Sequence, residues 1–340
     1  MQERVLILGA RGRFGLAAAQ AFADAGWKVL AHMRPGATAP VEAQDDARIS
    51  WIAAELQDTP ALARAAAQQA GGQGVAVVVH ALNPAYTNAA WQTQVLPMTD
   101  AALALCKALG ASFMLPGNIY NFGTEMPPVL RESTPQVART VKGQVRIAME
   151  QRIRESGVRS VVIRAGDFFG VGKGTWFDQA IVKDLTKGAF TYPGPLEVAT
   201  AWAYLPDLAQ TFVQVAQKRA QLPAFEVLHF AGYSLTAREW IEVLTPLAQA
   251  QGWVQANAAV RYKVLPWAII RLGGLVVPAW AALAEMRYLW ITPHRLANDR
   301  LLQLLGAEPH TPLPQAAARA LDDLGWTRRT AGAVTAAAGT

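Results

Sequence analysis

Three glycines at a spacing of three residues, Gly9, Gly12 and Gly15, can do chemistry through their backbone. An apolar run, 5–8, precedes them and an alanine-rich segment, 16–25, follows, so strand, tight turn and helix succeed one another. The N–H groups and the dipole at the start of such a helix attract a diphosphate. The glycines would allow the tight turn, the approach of the backbone to phosphate and the packing of helix on strand. This context favours a dinucleotide-binding turn over an ordinary strand-to-helix turn.

The end of the second predicted strand indicates which dinucleotide the turn would hold. An Asp or Glu there accepts hydrogen bonds from a ribose 2′-hydroxyl, whereas an Arg accommodates a 2′-phosphate. The run 30–34 ends in Arg34 and contains no acid, and Arg11 and Arg13 stand in the glycine turn with Phe14. Guanidinium groups suit phosphate well. We therefore expect NADP in preference to NAD, the alternative being that these arginines are merely solvated.

Strand and helix patterns alternate through the first half of the chain, which is typical of a parallel sheet covered on both faces. The predicted fold class is α/β, a Rossmann-type doubly wound parallel sheet with a smaller, mixed α/β C-terminal substrate lobe. Ligands of such sheets bind at the carboxyl ends of the strands. Strands are predicted at 5–8, 27–33, 48–52, 74–80, 111–115 and 158–164, and helices at 16–25, 58–70, 91–109 and 140–156.

The pattern loosens after residue 165, where glycines, prolines and aromatic residues accumulate. We predict a dinucleotide-binding domain over residues 1–165 and a substrate-binding lobe over 166–330, whose segments can interleave with the first domain. A frayed tail is predicted over 331–340. Within the lobe, strands are predicted at 200–205, 225–230 and 261–265, and helices at 206–219 and 236–251.

Composition and charge narrow the classes of partner. The chain has 31 Lys and Arg against 25 Asp and Glu, a formal net charge of +6, and its basic residues are scattered, so no nucleic-acid partner is expected. Cys106 is the single cysteine, which excludes an internal disulfide, and the histidines share no ligand spacing, so no metal is expected. The apolar stretch 267–283 is interrupted by Arg271, a Gly-Gly pair and Pro278, which argues against a membrane-spanning helix. A buried or lid helix is predicted, the alternative being a segment that lies on a membrane surface. We expect no membrane partner and, because the chain enters a strand at once, a cytoplasmic location.

Several stretches, taken in order, resemble the extended short-chain dehydrogenase/reductases, the NAD-dependent epimerase/dehydratase group. Beside the glycine turn, the run 55–58 (Glu-Leu-Gln-Asp) is similar to the segment that borders the adenine, and the run 80–84 (His-Ala-Leu-Asn-Pro) to a turn along the cofactor. The segments 164–170 and 202–207 resemble the family's stretches after its sixth strand and before a later helix. The likeness covers nearly the whole chain. It implies cofactor contacts by Glu55, Leu56, Ala81, Leu82, Asn83 and Lys142.

The family's catalytic pattern is incomplete in this chain. The resemblance implies a Ser or Thr, a Tyr and, four residues after the Tyr, a Lys. In the family the Tyr exchanges a proton with the substrate oxygen while hydride moves. Lys142 stands at the Lys position, but Ala138 occupies that of the Tyr and Asn118 that of the Ser or Thr. The chain is therefore identified as a divergent, atypical member.

Other residues at the same strand ends could replace the missing groups. Tyr120 could face the nicotinamide, and the amide of Asn118 could orient a carbonyl oxygen. Lys142 could hold the nicotinamide ribose, or donate a proton itself if burial lowers its pKa. The alternatives are a loop anchor for Tyr120, a turn cap for Asn118 and a solvated helix residue for Lys142. The residues predicted to contact the substrate are Asn83, Tyr120, Asp167, Phe168, Phe169, Trp176 and Tyr204.

Two functions are compatible with these residues. We expect an NADPH-linked oxidoreductase that acts on a small carbonyl or hydroxyl compound with a non-standard proton donor. The alternative is a protein that binds NADP(H) without hydride transfer, as a redox sensor or scaffold. The helices at 91–109 and 140–156 could form the contact of a homodimer, or serve internal packing.

Overall fold

A computed structural model describes residues 2–327, so the predicted tail 331–340 lies outside the described residues. In chain order, strands β1 to β14 span Arg4–Leu8, Lys28–Met33, Ile49–Ala53, Val77–His80, Ser112–Gly117, Val129–Leu130, Ser160–Arg164, Asp167–Phe169, Ala189–Tyr192, Thr200–Tyr204, Phe225–His229, Tyr233–Leu235, Arg261–Val264 and Arg295–Leu296. Helices α1 to α11 span Arg13–Asp24, Thr59–Gln69, Asn88–Leu109, Val141–Glu155, Leu205–Gln217, Ala237–Ala250, Trp267–Gly273, Pro278–Glu285, Tyr288–Ile291, Asp299–Leu305 and Leu313–Asp323.

Seven strands form one parallel sheet in the order β11-β7-β5-β4-β1-β2-β3. Alternate residues of β1 enter the two cores: Val5 and Ile7 pack under α1 and α5, whereas Leu6 and Leu8 pack under α2, α3 and α4. The strand order reverses between β1 and β4, and the crevice outside their carboxyl ends is where such sheets bind ligands. The predicted doubly wound α/β fold is confirmed.

Polar side chains fix where the helices of this sheet begin. The Asp58 carboxylate accepts a hydrogen bond from the Ala61 N–H at 3.1 Å and thereby caps α2. The hydroxyl of Thr87 caps α3 in the same way, so this helix begins at Asn88, earlier than the predicted 91. Thr140 caps α4 and thereby sets the orientation of its first turn.

Some segments after residue 165 pack on the first domain instead of the second lobe. Helix α5 packs on α1, and β11 pairs with β7 at the edge of the main sheet, so the strand predicted at 225–230 belongs to the first domain. The second lobe is built on three small sheets, β12-β10-β8, β13-β9 and β14-β6. Several of these strands have two to four residues, too few for an alternating pattern, and were not predicted.

The apolar stretch 267–283 forms two short helices, α7 and α8, which meet as a hairpin. The side chains of Trp267, Ile270 and Leu283 are buried, as predicted for a lid, but the residues between the helices are exposed. Among residues 2–327, no helix has the length and apolarity that crossing a membrane requires.

Candidate active site

The glycine turn joins β1 to α1 at the point where the strand order reverses. Gly9 has a φ of +78°, and a Cβ there would lie 3.0 Å from the backbone of Ala81. A Cβ on Gly15 would overlap the Gly9 carbonyl oxygen. Gly12 is the N-cap of α1, and no side chain caps the helix. The first-turn N–H groups are therefore open to a ligand, and the absence of Cβ atoms leaves a cradle that fits a diphosphate.

The other segments predicted to contact the cofactor lie at the same edge of the sheet. The Ala81 N–H donates to the Leu8 carbonyl at 2.9 Å, which places the turn after β4 against the glycine turn. Leu82 is half-buried beside Gly9, whereas Asn83 is exposed. Beyond β3, Glu55 is exposed and Leu56 is buried.

The three arginines predicted to bind a 2′-phosphate have different surroundings. Arg34 is exposed just beyond β2, and Arg11 is exposed in the glycine turn. The Arg13 guanidinium donates to the Lys173 carbonyl at 2.7 Å and so fastens a second-lobe loop to α1. Burial lowers the pKa of Arg13, and the nearby Asp178 carboxylate opposes this shift. This contact uses one of the five N–H donors of the guanidinium, so contact of Arg13 with a phosphate stays a prediction.

Lys142, in the first turn of α4, is fully buried. Its Nζ donates to Oδ1 of Asn88 at 2.6 Å and lies 4.4 Å from the ring centroid of Tyr86. Asn88 donates in turn to Oε2 of Glu285 at 2.9 Å, and Oε1 of Glu285 accepts the Val141 N–H at 2.8 Å. Burial lowers the pKa of Lys142 to about 8, and the Glu285 carboxylate opposes this shift. An ammonium with this pKa can exchange a proton near neutral pH.

Two phenols, those of Tyr86 and Tyr120, stand at the ends of β4 and β5. The Tyr86 hydroxyl is buried and has no hydrogen-bond partner among the described residues, although the Tyr120 hydroxyl is near enough to influence its pKa. Burial raises the pKa of Tyr120 to about 12 and that of Tyr86 well above its ordinary value. Both phenols therefore stay protonated at neutral pH. They are suited to donate hydrogen bonds to a ligand oxygen and poorly suited to act as bases.

Asp167, at the start of β8, brings a carboxyl group to the same place from the end of β7. Its Oδ2 accepts a hydrogen bond from Nε1 of Trp290 at 2.8 Å. Burial raises the pKa of Asp167 to about 6, and the Trp290 hydrogen bond opposes this shift. The charge of Asp167 also raises the pKa of both Tyr86 and Tyr120. The ends of β4, β5 and β7 thus bring the two phenols and Asp167 together, and helix α4 adds Lys142 beside Tyr86.

The positions of the family's Tyr and Ser/Thr are used structurally. Ala138 is buried, and a Cβ on Gly123 would lie 2.7 Å from its Cα, while one on Gly143 would overlap its side chain. Ala138 therefore requires glycine at both neighbouring positions. Oδ1 of Asn118 accepts the Tyr120 N–H at 3.1 Å, which is the turn-capping alternative. This bond leaves the NH₂ of Asn118 as the group that could face a ligand.

Some predicted substrate residues border this space. The ring of Trp176 lies 5.9 Å from that of Tyr86 and 5.4 Å from that of Trp290. Phe168 is half-buried and stacks on Phe14 with a centroid distance of 6.4 Å, beside the glycine turn.

Phe169 and Tyr204 are placed differently, and their assignment to the substrate pocket is wrong. Their rings are buried 5.2 Å apart, and the Phe169 ring also lies 5.2 Å from Trp240 of α6. Both belong to the core of the second lobe. Large rings fill this core because its short strands supply few aliphatic side chains.

Sequence reasoning missed Tyr86, Asn88 and Glu285. Tyr86 and Asn88 follow the turn 80–84, whose similarity to a cofactor-binding turn could have drawn attention to them. Glu285 is the one acid between residues 253 and 298. A lone carboxylate in so apolar a segment indicates a buried partner.

Residues 3–249 match the protein family described as RmlD substrate binding domain. The chain belongs to this family. Together with the doubly wound sheet, membership confirms the resemblance to the extended short-chain dehydrogenase/reductases. No curated protein matches the chain in sequence.

Solved structures show the same fold over nearly the whole chain. A candidate epimerase from Burkholderia cenocepacia J2315 is similar with a TM-score of 0.72 and 19% identity, over 94% of this chain and 97% of that one. The Bordetella bronchiseptica enzyme WbmH, solved in complex with NAD+, gives 0.69 and 17% over 95% and 98%. The L-threonine 3-dehydrogenase from Trypanosoma brucei gives 0.69 and 15% over 95% and 97%.

Proposed function

We propose that the protein is an NADP(H)-dependent oxidoreductase of the atypical extended short-chain dehydrogenase/reductase type. Its substrate would be a small carbonyl or hydroxyl compound. The observation that carries this proposal is the buried Lys142 ammonium beside the buried Tyr86 hydroxyl, at the carboxyl edge of the sheet. The glycine turn, with its uncapped N–H groups, lies at the same edge.

The cofactor would be held by residues that follow β1, β2, β3 and β4. Gly9, Gly12 and Gly15 would admit the diphosphate, and Arg34, with no acid near it in sequence, supports NADP over NAD. A nicotinamide bound here supplies or accepts the hydride. WbmH, a protein of similar fold, was solved with NAD+, which supports a nicotinamide cofactor in general.

Lys142 would exchange the proton. In reduction its Nζ gives a proton to the substrate oxygen, and in oxidation it takes one back. The hydroxyls of Tyr86 and Tyr120 would orient that oxygen by donating hydrogen bonds. Asn88 positions the ammonium by accepting its hydrogen bond, and Glu285 positions Asn88 in the same way. Trp176 would supply an apolar wall, which favours a substrate with an apolar part.

Titration with NADPH, followed by a screen of carbonyl compounds read from NADPH absorbance, tests the proposal. Lys142→Met should bind NADPH and lose at least about 10²-fold in turnover. Lys107→Met, which changes an exposed lysine on α3, is the matched control and should equal the parent. Arg34→Ala should weaken NADPH about tenfold and leave NADH unchanged. Full turnover in Lys142→Met would refute the proton-transfer role.

A second candidate, a non-catalytic NADP(H) sensor, is favoured by the way Ala138 is packed between Gly123 and Gly143 and by the turn-capping role of Asn118. It requires NADPH binding without turnover of any carbonyl compound. It also requires that hydrogen exchange of the NADP+ and NADPH forms differs. Turnover that depends on Lys142 excludes it.

A further inference from the structure

The described surface gathers its exposed large apolar side chains in one place. Eight of the eleven such side chains lie between residues 264 and 291. The most exposed are Leu275 at 81%, Val276 at 80% and Leu272 at 71%. Scattered exposed apolar residues are ordinary, but a concentrated apolar surface marks a binding face.

Six of these eight side chains form the outer side and tip of the hairpin made by α7 and α8: Ile269, Leu272, Leu275, Val276, Val277 and Trp280. On the inner side Trp267, Ile270 and Met286 are buried. The tip is closed on itself, because the Trp280 ring packs on Gly273, where a Cβ would overlap it. The exposed tip is therefore an ordered apolar surface, with a half-exposed tryptophan at its margin.

The exposed charges of the hairpin and of the segments that flank it in sequence have one sign. Residues 253–298 contain five basic residues and a single acid, Glu285, whose carboxylate is turned inward onto Val141 and Asn88. Exposed basic residues in this stretch include Lys263 at the base of the hairpin and Arg271 on α7.

One exposed acid on a neighbouring segment is Glu125, beside the Met126 that packs in the same cluster as Trp267. Asp184, which lies near Lys263, forms an ion pair with Lys187 at 2.9 Å. The adjoining segment 81–99, which includes the start of α3, contains no charged residue. An apolar tip with a basic rim and an edge tryptophan is complementary to the surface of a bilayer with anionic headgroups.

We propose that the α7–α8 hairpin docks on the surface of a membrane that contains anionic lipid. The tip residues 272–280 enter the headgroup region, and Lys263 and Arg271 contact lipid phosphates. The hairpin lies beyond the family match, which ends at residue 249. This proposal replaces the expectation of no membrane partner, since only the inner side of the stretch 267–283 is buried.

Co-sedimentation of the whole protein with vesicles tests the docking. Vesicles of phosphatidylcholine mixed with phosphatidylglycerol should bind the protein, and vesicles of phosphatidylcholine alone should bind it at least about fivefold less. The double variant Leu275→Ser/Val276→Ser should lose about tenfold in binding to the anionic vesicles. Arg271→Ser should weaken binding less, and added salt should weaken it further. The matched control Val41→Ser/Val137→Ser, which removes two exposed valines elsewhere, should equal the parent.

Three outcomes would overturn the proposal. The parent could fail to bind either kind of vesicle, or the tip variant could bind as well as the parent. The parent could also be a dimer, by light scattering, that the tip variant converts to a monomer, which would assign the face to a second copy. NADPH affinity measured on the same samples keeps the two proposals separate, because the docking does not depend on cofactor binding.

Discussion

Helix α4 buries three charged side chains, Lys142, Arg146 and Glu150, and the first and the last have opposite kinds of surroundings. The Glu150 carboxylate accepts from Arg164 at both oxygens, at 3.0 and 2.6 Å, and from Gln136 at 3.2 Å. Arg164 also contacts Nε2 of His229, and burial lowers the pKa of that histidine to about 3, so the ring is neutral and accepts. This network is saturated, which is the mark of a structural role.

Lys142 has one amide partner and an aromatic face, and the hydroxyl beside it has no partner. Its pKa is displaced towards neutrality, whereas a fully paired ammonium would keep its charge. The contrast teaches that burial of a charge alone does not indicate function. What distinguishes the site is that its polar groups are left partly unmatched.

The largest effect on folding is expected at Glu150. Glu150→Ala leaves Arg164 buried and unpaired, so the free energy of unfolding should fall by about 3–5 kcal/mol. Asp100→Ala on α3 removes the exposed partner of Arg152 on α4, which lies 2.6 Å away, and should cost less than about 1 kcal/mol. Urea unfolding measures both. An equal fall in the free energy of unfolding for the two variants would mean that burial does not strengthen the Glu150–Arg164 pair.

Lys142→Met should raise the free energy of unfolding, whereas Glu150→Ala lowers it. A lysine whose pKa is lowered to about 8 on folding costs stability wherever it is charged in both states, below pH 8. The variant should therefore gain on the order of 2 kcal/mol in the free energy of unfolding at pH 7. The gain should shrink between pH 8 and the ordinary lysine pKa, because the parent then becomes more stable. Calorimetry at several pH values checks this, and a loss of stability at pH 7 would contradict it.

The rate of carbonyl reduction should follow the protonation of Lys142. Below pH 8 the ammonium is present and the rate is level; above it the rate should fall about tenfold per pH unit. Oxidation of the product should show the reverse slope. A rate of reduction that does not change between pH 7 and 10 would mean that a group other than Lys142 donates the proton.

The smallest effect is expected at Tyr86. Tyr86→Phe removes a hydroxyl that has no partner, so the free energy of unfolding should change by less than about 1 kcal/mol. Turnover should fall about fivefold, since one oriented hydrogen bond to the substrate is lost. Thermal unfolding and steady-state kinetics separate the two effects. A large loss of stability would show that the hydroxyl is paired in solution.

The sequence predicts the sheet well and the site only in part. Strand and helix patterns near the glycine turn are local, so β1 and α1 could be placed from periodicity alone. Lys142 could be placed by its resemblance to a family position. Asn88 and Glu285 could not, because they meet across 197 positions in the chain and no local pattern records such a contact.

The same limit explains the errors in the second lobe. Phe169 and Tyr204 are aromatic residues next to a predicted strand end, and the same residue type suits a pocket or a core. Which of the two they fill depends on Trp240, which comes from a distant helix.

The close packing of Ala138 against Gly123 and Gly143 bears on which neighbouring positions can vary. A Cβ on Gly143 would overlap the Ala138 side chain, and one on Gly123 would come within 2.7 Å of its Cα. Both glycines are therefore constrained by packing, whether or not position 138 takes part in chemistry.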